Sequence, residues 1–187
     1  MATPLLHHVR TVELVDASNL IRAAVTRPGG TWADLGAGSG TFTSAVARLL
    51  GEGGVVYAVD RVAGGLAAGV VGAPGAARVV PVVGDLREPL PLADLAGVVM
   101  ANSLHFVAGA EQADVLTRVV SYLRPEGVVV LVEYDQRRGS PWVPFPVPLE
   151  RFEVLAAEAG LAVVKEIGRR RSRFGPRDIY AAVAGRS

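Results

Sequence analysis

A strand, a glycine-rich turn and a helix follow one another directly in the first third of the chain, and this order limits the fold more than any other feature. The mainly apolar residues 32–35 precede three alternating glycines, and the amphipathic stretch Thr41–Leu50 comes next. The glycines are Gly36, Gly38 and Gly40. Because glycine lets a backbone turn tightly and approach a ligand closely, this unit predicts an open α/β sheet with a ligand crevice at the carboxyl ends of its strands.

An acidic residue ends the next apolar stretch. Asp60 directly follows residues 55–59 and lies about twenty residues beyond Gly40. A carboxylate at this place is suited to accept hydrogen bonds from ribose hydroxyls. The sequence therefore predicts a cofactor that contains a nucleoside.

The spacing of the glycines bears on which cofactor is bound. A dinucleotide turn carries its third glycine one residue later than Gly40, where this chain has Thr41. Asp34 stands just before the turn, and a pyrophosphate prefers a helix N-terminus without a nearby acid. An anionic side chain suits a cofactor that carries an ammonium and a sulfonium. This favours S-adenosylmethionine over a nicotinamide or flavin dinucleotide, which stays as the alternative.

The rest of the chain alternates strands with helices until two final strands follow each other without a helix. Because neighbouring parallel strands need a long crossover, we expect this last pair to form an antiparallel hairpin. The predicted architecture is a mostly parallel seven-stranded α/β sheet with helices on both faces. The predicted strands are 32–35, 55–59, 78–83, 97–101, 128–132, 163–167 and 179–183, and the predicted helices are 11–26, 41–50, 111–123 and 149–159, with a short or frayed helix within 62–77.

A single domain over residues 1–187 accounts for this pattern. Residues 1–28 form an N-terminal helical segment in this scheme, and residues 135–148 form a proline- and aromatic-rich loop near the site.

The segment Asp34-Leu-Gly-Ala-Gly-Ser-Gly40 resembles motif I, D/E-x-G-x-G-x-G, of class I S-adenosylmethionine-dependent methyltransferases, and the chain is similar to their small bacterial members. Asp60, the Gly84-Asp85 pair, Asn102 and the segment 123–127 add to the resemblance in the same order along the chain. The resemblance implies a Rossmann-like fold and S-adenosylmethionine as cofactor. The cofactor-binding residues that it implies are Asp34, Leu35, Gly36, Ala37, Gly38, Gly40, Thr41, Phe42, Asp60, Arg61, Gly84, Asp85, Leu86 and Asn102.

The resemblance also implies direct displacement at the sulfonium methyl, for which alignment, water exclusion and an optional base suffice. We expect His105, Glu133 and Tyr134 on the acceptor side, with His105 as a candidate general base. A histidine that only bonds to backbone at a helix start is an equal alternative for His105. For Asp85, the alternative to an adenine contact is a turn cap before Pro89.

The loop 135–148 holds two aromatic residues among four prolines. Loops of this length are usually functional, so we expect Trp142 and Phe145 to form a rigid wall that binds the substrate. The alternative is that they cover a sheet edge or form a contact in a homodimer.

Composition narrows the classes of partner. The formal net charge is +1, and the 187 residues include no cysteine, so disulfides and thiolate metal sites are excluded. The adjacent His7 and His8 are not expected to bind a metal, and residues 169–173, which hold four arginines, are expected to be a solvated hairpin turn rather than a nucleic-acid patch.

We expect a cytoplasmic protein without a membrane span, whose acceptor is a small molecule. A non-catalytic protein that binds S-adenosylmethionine remains a further alternative, because this chemistry has no obligatory catalytic residue.

Overall fold

The computed structural model describes residues 4–62, 74–172 and 177–186, with side chains from residue 13 onward. Four helices and seven strands lie within these ranges. The strands are β1 (Gly30–Leu35), β2 (Gly54–Asp60), β3 (Arg78–Val83), β4 (Leu95–Ala101), β5 (Leu123–Tyr134), β6 (Val163–Arg171) and β7 (Asp178–Gly185). The helices are α1 (Pro4–Ile21), α2 (Thr41–Leu50), α3 (Gln112–Ser121) and α4 (Leu149–Glu158).

The strands form one sheet in the order β3-β2-β1-β4-β5-β7-β6. Neighbouring strands from β3 to β5 pair in parallel, whereas β7 is antiparallel to both β5 and β6. This confirms the predicted mostly parallel sheet with its antiparallel C-terminal hairpin. Along the chain, the strands are added to the sheet from β1 outward to β3 at one edge, and the next strand, β4, lies on the other side of β1. The strand order therefore reverses between β1 and β4.

Helices cover both faces of the sheet, and the central strands alternate their side chains between the two. Val98 and Met100 of β4 pack in the core on the α3–α4 side, whereas Val99 packs in the core that contains Leu20 and Ile21 of α1 and several residues of α2. Because both faces are buried, these strands are almost continuously apolar.

Several predicted boundaries were wrong. The first helix ends at Ile21 rather than residue 26, since a turn joins the Ala24 N–H to the Ile21 carbonyl. The predicted helix 111–123 ends at Ser121, and residues 124–127, which precede the predicted strand 128–132, belong to β5, whose pairing with β4 shifts between Leu95 and Gly97. The predicted helix within 62–77 falls largely on residues outside the described ranges, as do the side chains of His7 and His8.

The arginine run was also misassigned, because it is not a solvated turn. Arg169, Arg170 and Arg171 are the last three residues of β6 and pair with Tyr180, Ile179 and Asp178 of β7. The strand extends this far because β7 starts as early as Asp178.

Candidate cofactor and acceptor cavity

One cavity of about 650 Å³ lies at the carboxyl ends of the central strands, next to the point where the strand order reverses. This is where open α/β sheets bind ligands, and the volume is typical of small-molecule sites. All of the predicted cofactor residues except Leu35 and Gly40 line it, and so does Tyr134. The lining residues are Glu13, Ala17, Asp34, Gly36, Ala37, Gly38, Ser39, Thr41, Phe42, Asp60, Arg61, Gly84, Asp85, Leu86, Arg87, Ala101, Asn102, Ser103, Phe106, Val107, Tyr134, Arg170 and Ile179.

The glycine turn after β1 is fixed against the neighbouring strands. The backbone N–H groups of Gly36 and Ala37 both donate to the Val59 carbonyl of β2, at 2.9 and 3.0 Å. Gly36 has a φ of 83°, and a Cβ on it would lie 2.4 Å from the Ser103 Cβ. A side chain at position 36 would therefore be strained and would also collide with the end of β4.

Asp60 is held with its carboxylate against the same turn. One oxygen accepts the Gly38 N–H at 2.8 Å, and the other accepts the Val62 N–H at 3.1 Å. A carboxylate has about four lone-pair positions, so each oxygen keeps one for a further donor. The side chain is thus oriented by the backbone while it keeps acceptor capacity on the cavity wall.

Asp34 is the most unusual polar residue of the cavity. It is 1% exposed, and its Oδ2 accepts the Thr43 hydroxyl at 2.6 Å. Its Oδ1 is buried and has no partner among the described residues. Burial raises the pKa of this carboxyl to about 6, although the Thr43 hydrogen bonds act in the opposite direction. A cationic ligand beside Oδ1 would remove the cost of this unpaired acceptor.

The end of β4 contributes two further unpaired polar atoms. Asn102 has a φ of 52°, an uncommon backbone conformation that is fixed by its N–H bond to the Val132 carbonyl. Within the described ranges, neither its Oδ1 nor the Ser103 hydroxyl has a hydrogen-bond partner. Both residues line the cavity, so the unpaired groups of Asp34, Asn102 and Ser103 belong to residues of the same cavity wall.

Asp85, at the end of β3, is already partnered. Its carboxylate accepts the Arg87 guanidinium at 2.6 Å and the Arg87 backbone N–H at 2.9 Å. The guanidinium lowers the pKa of Asp85 below its usual range. The turn-capping contact predicted as the alternative is therefore present, and an adenine contact stays a prediction.

His105 and Glu133 lie behind the cavity rather than on its wall. His105 is 2% exposed and Glu133 is fully buried, and the His105 Nδ1 lies 2.5 Å from a Glu133 oxygen. The other oxygen accepts the His105 backbone N–H at 3.2 Å. The pair thus attaches the short 3-10 turn Leu104–Phe106 to β5. Neither side chain lines the cavity, so contact of His105 or Glu133 with an acceptor stays a prediction.

The predicted aromatic wall does not line the cavity. Trp142 is 84% exposed, and Phe145 is 42% exposed. The loop is fastened outside the cavity, because the Phe145 N–H donates to the His105 carbonyl and the Gln112 amide donates to the Phe145 carbonyl. The aromatic residues that do line the cavity are Phe42, Tyr134 and Phe106, and Phe106 follows His105 directly.

Sequence reasoning missed several lining residues. For Phe106, only its position after β4 could have indicated that it lines the cavity. Glu13 and Ala17 come from a helix that carries no motif. Arg170 and Ile179 face each other across β6 and β7, so only strand pairing brings them to the cavity.

The described ranges contain neither a cluster of metal ligands nor a membrane-spanning helix. There, no three histidine or acidic side chains are grouped as a metal ion would require. No helix in these ranges has the length and apolarity of a membrane span.

Comparisons with known proteins agree with this geometry. Residues 33–127 match the model of a family described as "Methyltransferase domain". No curated protein matches the chain.

Solved structures of low sequence identity share the fold. The 1,6-didemethyltoxoflavin-N1-methyltransferase of Burkholderia thailandensis has a TM-score of 0.72 at 18% identity, over 100% of this chain and 92% of that one. The magnesium protoporphyrin IX methyltransferase of Synechocystis has a TM-score of 0.69 at 16% identity, with 93% and 82% covered. Both were solved with S-adenosylhomocysteine bound. A TehB-like S-adenosylmethionine-dependent methyltransferase of Corynebacterium glutamicum has a TM-score of 0.63 at 18% identity, with 97% and 96% covered.

Proposed function

Because this chain belongs to the methyltransferase-domain family and uses S-adenosylmethionine, we propose that this cavity binds the cofactor along β1, β2 and β3 and a small methyl acceptor beside it. The cofactor side consists of the glycine turn, Asp60 and the ends of β3 and β4. The acceptor side consists of α1, Phe106 and the strands β5, β7 and β6.

The observation that carries this proposal is a pair of carboxylates with different environments on one wall. Asp60 is held by two backbone N–H groups and keeps acceptor capacity for the two ribose hydroxyls. Asp34 is buried with an unpaired oxygen, which suits the ammonium of the methionyl group. Gly36 also fits this proposal, because a side chain there would collide with Ser103 and displace the turn that carries Gly38 and orients Asp60.

When bound, S-adenosylmethionine supplies an electrophilic methyl group. The residues of this chain then need only to align the acceptor and exclude water. Phe106 and Tyr134 line the acceptor side and supply apolar surface and one hydroxyl. His105 and Glu133 maintain the position of the turn that carries Phe106, and they act as positioning residues.

The size of the cavity supports a small-molecule acceptor. About 650 Å³ suffices for a cofactor and a compact partner, but not for a folded macromolecule. The neighbours named for didemethyltoxoflavin and magnesium protoporphyrin also act on small molecules.

Calorimetry with S-adenosylhomocysteine, NAD and the Asp60→Asn variant tests the cofactor assignment. We expect S-adenosylhomocysteine to bind the wild-type protein and NAD not to bind. Asp60→Asn should weaken binding about 100-fold, since it removes charge-assisted hydrogen bonds to two hydroxyls. Glu52→Gln, at an exposed position away from the cavity, is the matched control. Binding of NAD alone would contradict the proposal.

Transfer to an acceptor needs its own measurement. Radiolabelled methyl transfer across a panel of small hydroxy, amino and carboxylic compounds should give a product that depends on Asp60. If S-adenosylhomocysteine binds but no panel member accepts the methyl group, the non-catalytic alternative is favoured.

The cytoplasmic location stays a prediction of the sequence, and a homodimer stays the alternative explanation for the exposed Trp142 and Phe145. Light scattering on the purified protein tests it, because a dimer has twice the 19.5 kDa chain mass.

A further inference from the structure

Two neighbouring arginines at the end of β6 have opposite environments. Arg169 is saturated by acids, since its guanidinium donates to Asp135 at 2.6 Å and to both oxygens of Glu166 at 2.8 and 2.7 Å. Arg170 follows it directly, and successive residues of a strand point to opposite faces. Its side chain lies on the cavity wall.

The Arg170 guanidinium lacks the partners that Arg169 has. Its Nε–H is buried and has no acceptor among the residues that the structure describes. Glu13 of α1 also lines the cavity, yet no ion pair joins it to Arg170 within those residues. A guanidinium cannot release its charge near neutral pH, so a buried donor of this kind is costly until an anion pairs with it.

The position of Arg170 separates it from the cofactor side. β6 is the edge strand of the sheet, and β4, β5 and β7 lie between it and the β1 turn. Its neighbour across the strands is Ile179, which pairs with both Arg170 and Tyr134, and all three residues line the cavity. An arginine beside an apolar surface and a tyrosine hydroxyl suits an acceptor that has an apolar body and one anionic group.

We propose that Arg170 is a specificity residue that binds an anionic oxygen-acid group, a carboxylate or a phosphate, on the methyl acceptor. This rests on the proposed function, and it adds the chemical class of the acceptor to it. The guanidinium presents paired N–H donors in a plane, which match two oxygens of such a group. A neutral acceptor lacks the negative charge and the second anionic oxygen, so it would bind less well.

The test is a titration of the protein loaded with S-adenosylhomocysteine, followed through the Arg170 Nε–H resonance of 15N-labelled protein. The probes are benzoate, phenyl phosphate and the neutral benzamide. We expect one or both anions to shift the resonance saturably, and benzamide to require at least a tenfold higher concentration for the same effect. Arg170→Gln should weaken binding of that anion about tenfold or more, with Arg170→Lys intermediate. Arg171→Gln, at the next and exposed position, is the control that should bind as the wild type does.

The outcomes separate the inference from its premise. If benzamide binds as well as benzoate, or if neither anion moves the resonance, Arg170 does not select an anionic acceptor. If Arg170→Gln instead loses S-adenosylhomocysteine, the arginine binds the carboxylate of the cofactor and the inference is wrong. Failure of S-adenosylhomocysteine to bind the wild-type protein would contradict the proposed function itself, and it is detected by calorimetry before any anion is added.

Discussion

The two proposed sides of the cavity differ in the chemical groups that shape them, which are mainly backbone groups on one side and side chains on the other. On the cofactor side, backbone hydrogen bonds fix the shape of the wall. The Gly36–Gly38 turn is hydrogen-bonded to Val59, and the Gly38 N–H orients Asp60. On the acceptor side, the wall consists of side chains from α1, β5, β7 and β6, and Arg170 among them has an unpaired buried donor. The first side is fixed by local geometry, whereas the second depends on which strand pairs with which.

This difference explains which side is expected to tolerate change. Backbone turns constrain a ligand that never varies, such as a shared cofactor. Side chains on an edge strand can be exchanged without altering the turn, so they are suited to determine the acceptor. The predictions below test whether the two sides are separable in this way.

The largest effect is expected at the glycine turn. Gly36→Ala should cost about 2–5 kcal/mol in the free energy of unfolding, because it adds a clash with Ser103 to the strain of a positive φ. Gly160→Ala is the matched control, since Gly160 has a φ of 80° and open space around its missing Cβ. Urea unfolding should give only about 1–2 kcal/mol for that variant. Equal losses would show that the close approach to β4 is unimportant.

Asp34→Asn should separate stability from binding. Burial raises the pKa of Asp34 from 3.8 to about 6, so the free folded protein holds an extra proton between these values and loses stability as pH rises through them. The amide of the Asp34→Asn variant does not ionise, so the variant does not lose stability as pH rises, and the amide oxygen still accepts the Thr43 hydroxyl. We expect Asp34→Asn to be about 3 kcal/mol more stable than the wild type at pH 7.5 and about equally stable near pH 3.

The same variant should bind S-adenosylhomocysteine about tenfold more weakly at pH 7.5, because an amide does not attract the ammonium as a carboxylate does. Unfolding curves at several pH values and calorimetry check the two halves. A variant that binds with wild-type affinity would remove Asp34 from the cofactor site.

The buried His105–Glu133 pair should affect both sides only through the fold. Glu133→Gln should lower the free energy of unfolding by about 1–3 kcal/mol, since it disturbs two hydrogen bonds of a buried group. A double-mutant cycle with His105→Gln should show coupling, because each variant removes the same contact. If both variants keep wild-type stability yet abolish methyl transfer, the pair acts directly in the reaction instead of positioning the turn.

The smallest effect on cofactor affinity is expected from Tyr134→Phe. Tyr134 lines the acceptor side, so calorimetry should give an S-adenosylhomocysteine affinity within about twofold of the wild type. The Km for the acceptor should rise, because one hydroxyl is lost from its wall. A marked loss of S-adenosylhomocysteine binding would show that the two sides are not separable.

The same division determines how much the sequence could predict. The strand–turn–helix unit, Asp60 and the sheet with its antiparallel hairpin follow from local patterns, and the structure confirms the sheet. Arg170 was placed in a turn because the length of β6 depends on its pairing with β7. A register irregularity between Glu166 and Gly168 also shifts the alternation of faces, and a shift of one residue reverses the direction of every later side chain.

The loop 135–148 shows the same limit. Its prolines and aromatic residues indicate a rigid segment, but not the surface on which that segment packs. Two hydrogen bonds at Phe145 fasten it to His105 and Gln112, and neither contact has a sequence signature. Phe106 lines the cavity in its place because it belongs to the turn that Glu133 secures.

A crystal structure of the protein with S-adenosylhomocysteine tests the central claim most directly. The account predicts the ribose hydroxyls on the Asp60 carboxylate, the ammonium beside Asp34 Oδ1 and no contact between the ligand and Arg170. A ligand whose carboxylate lies on the Arg170 guanidinium, or whose ribose lies away from Asp60, would contradict the division of the cavity into a cofactor side and an acceptor side.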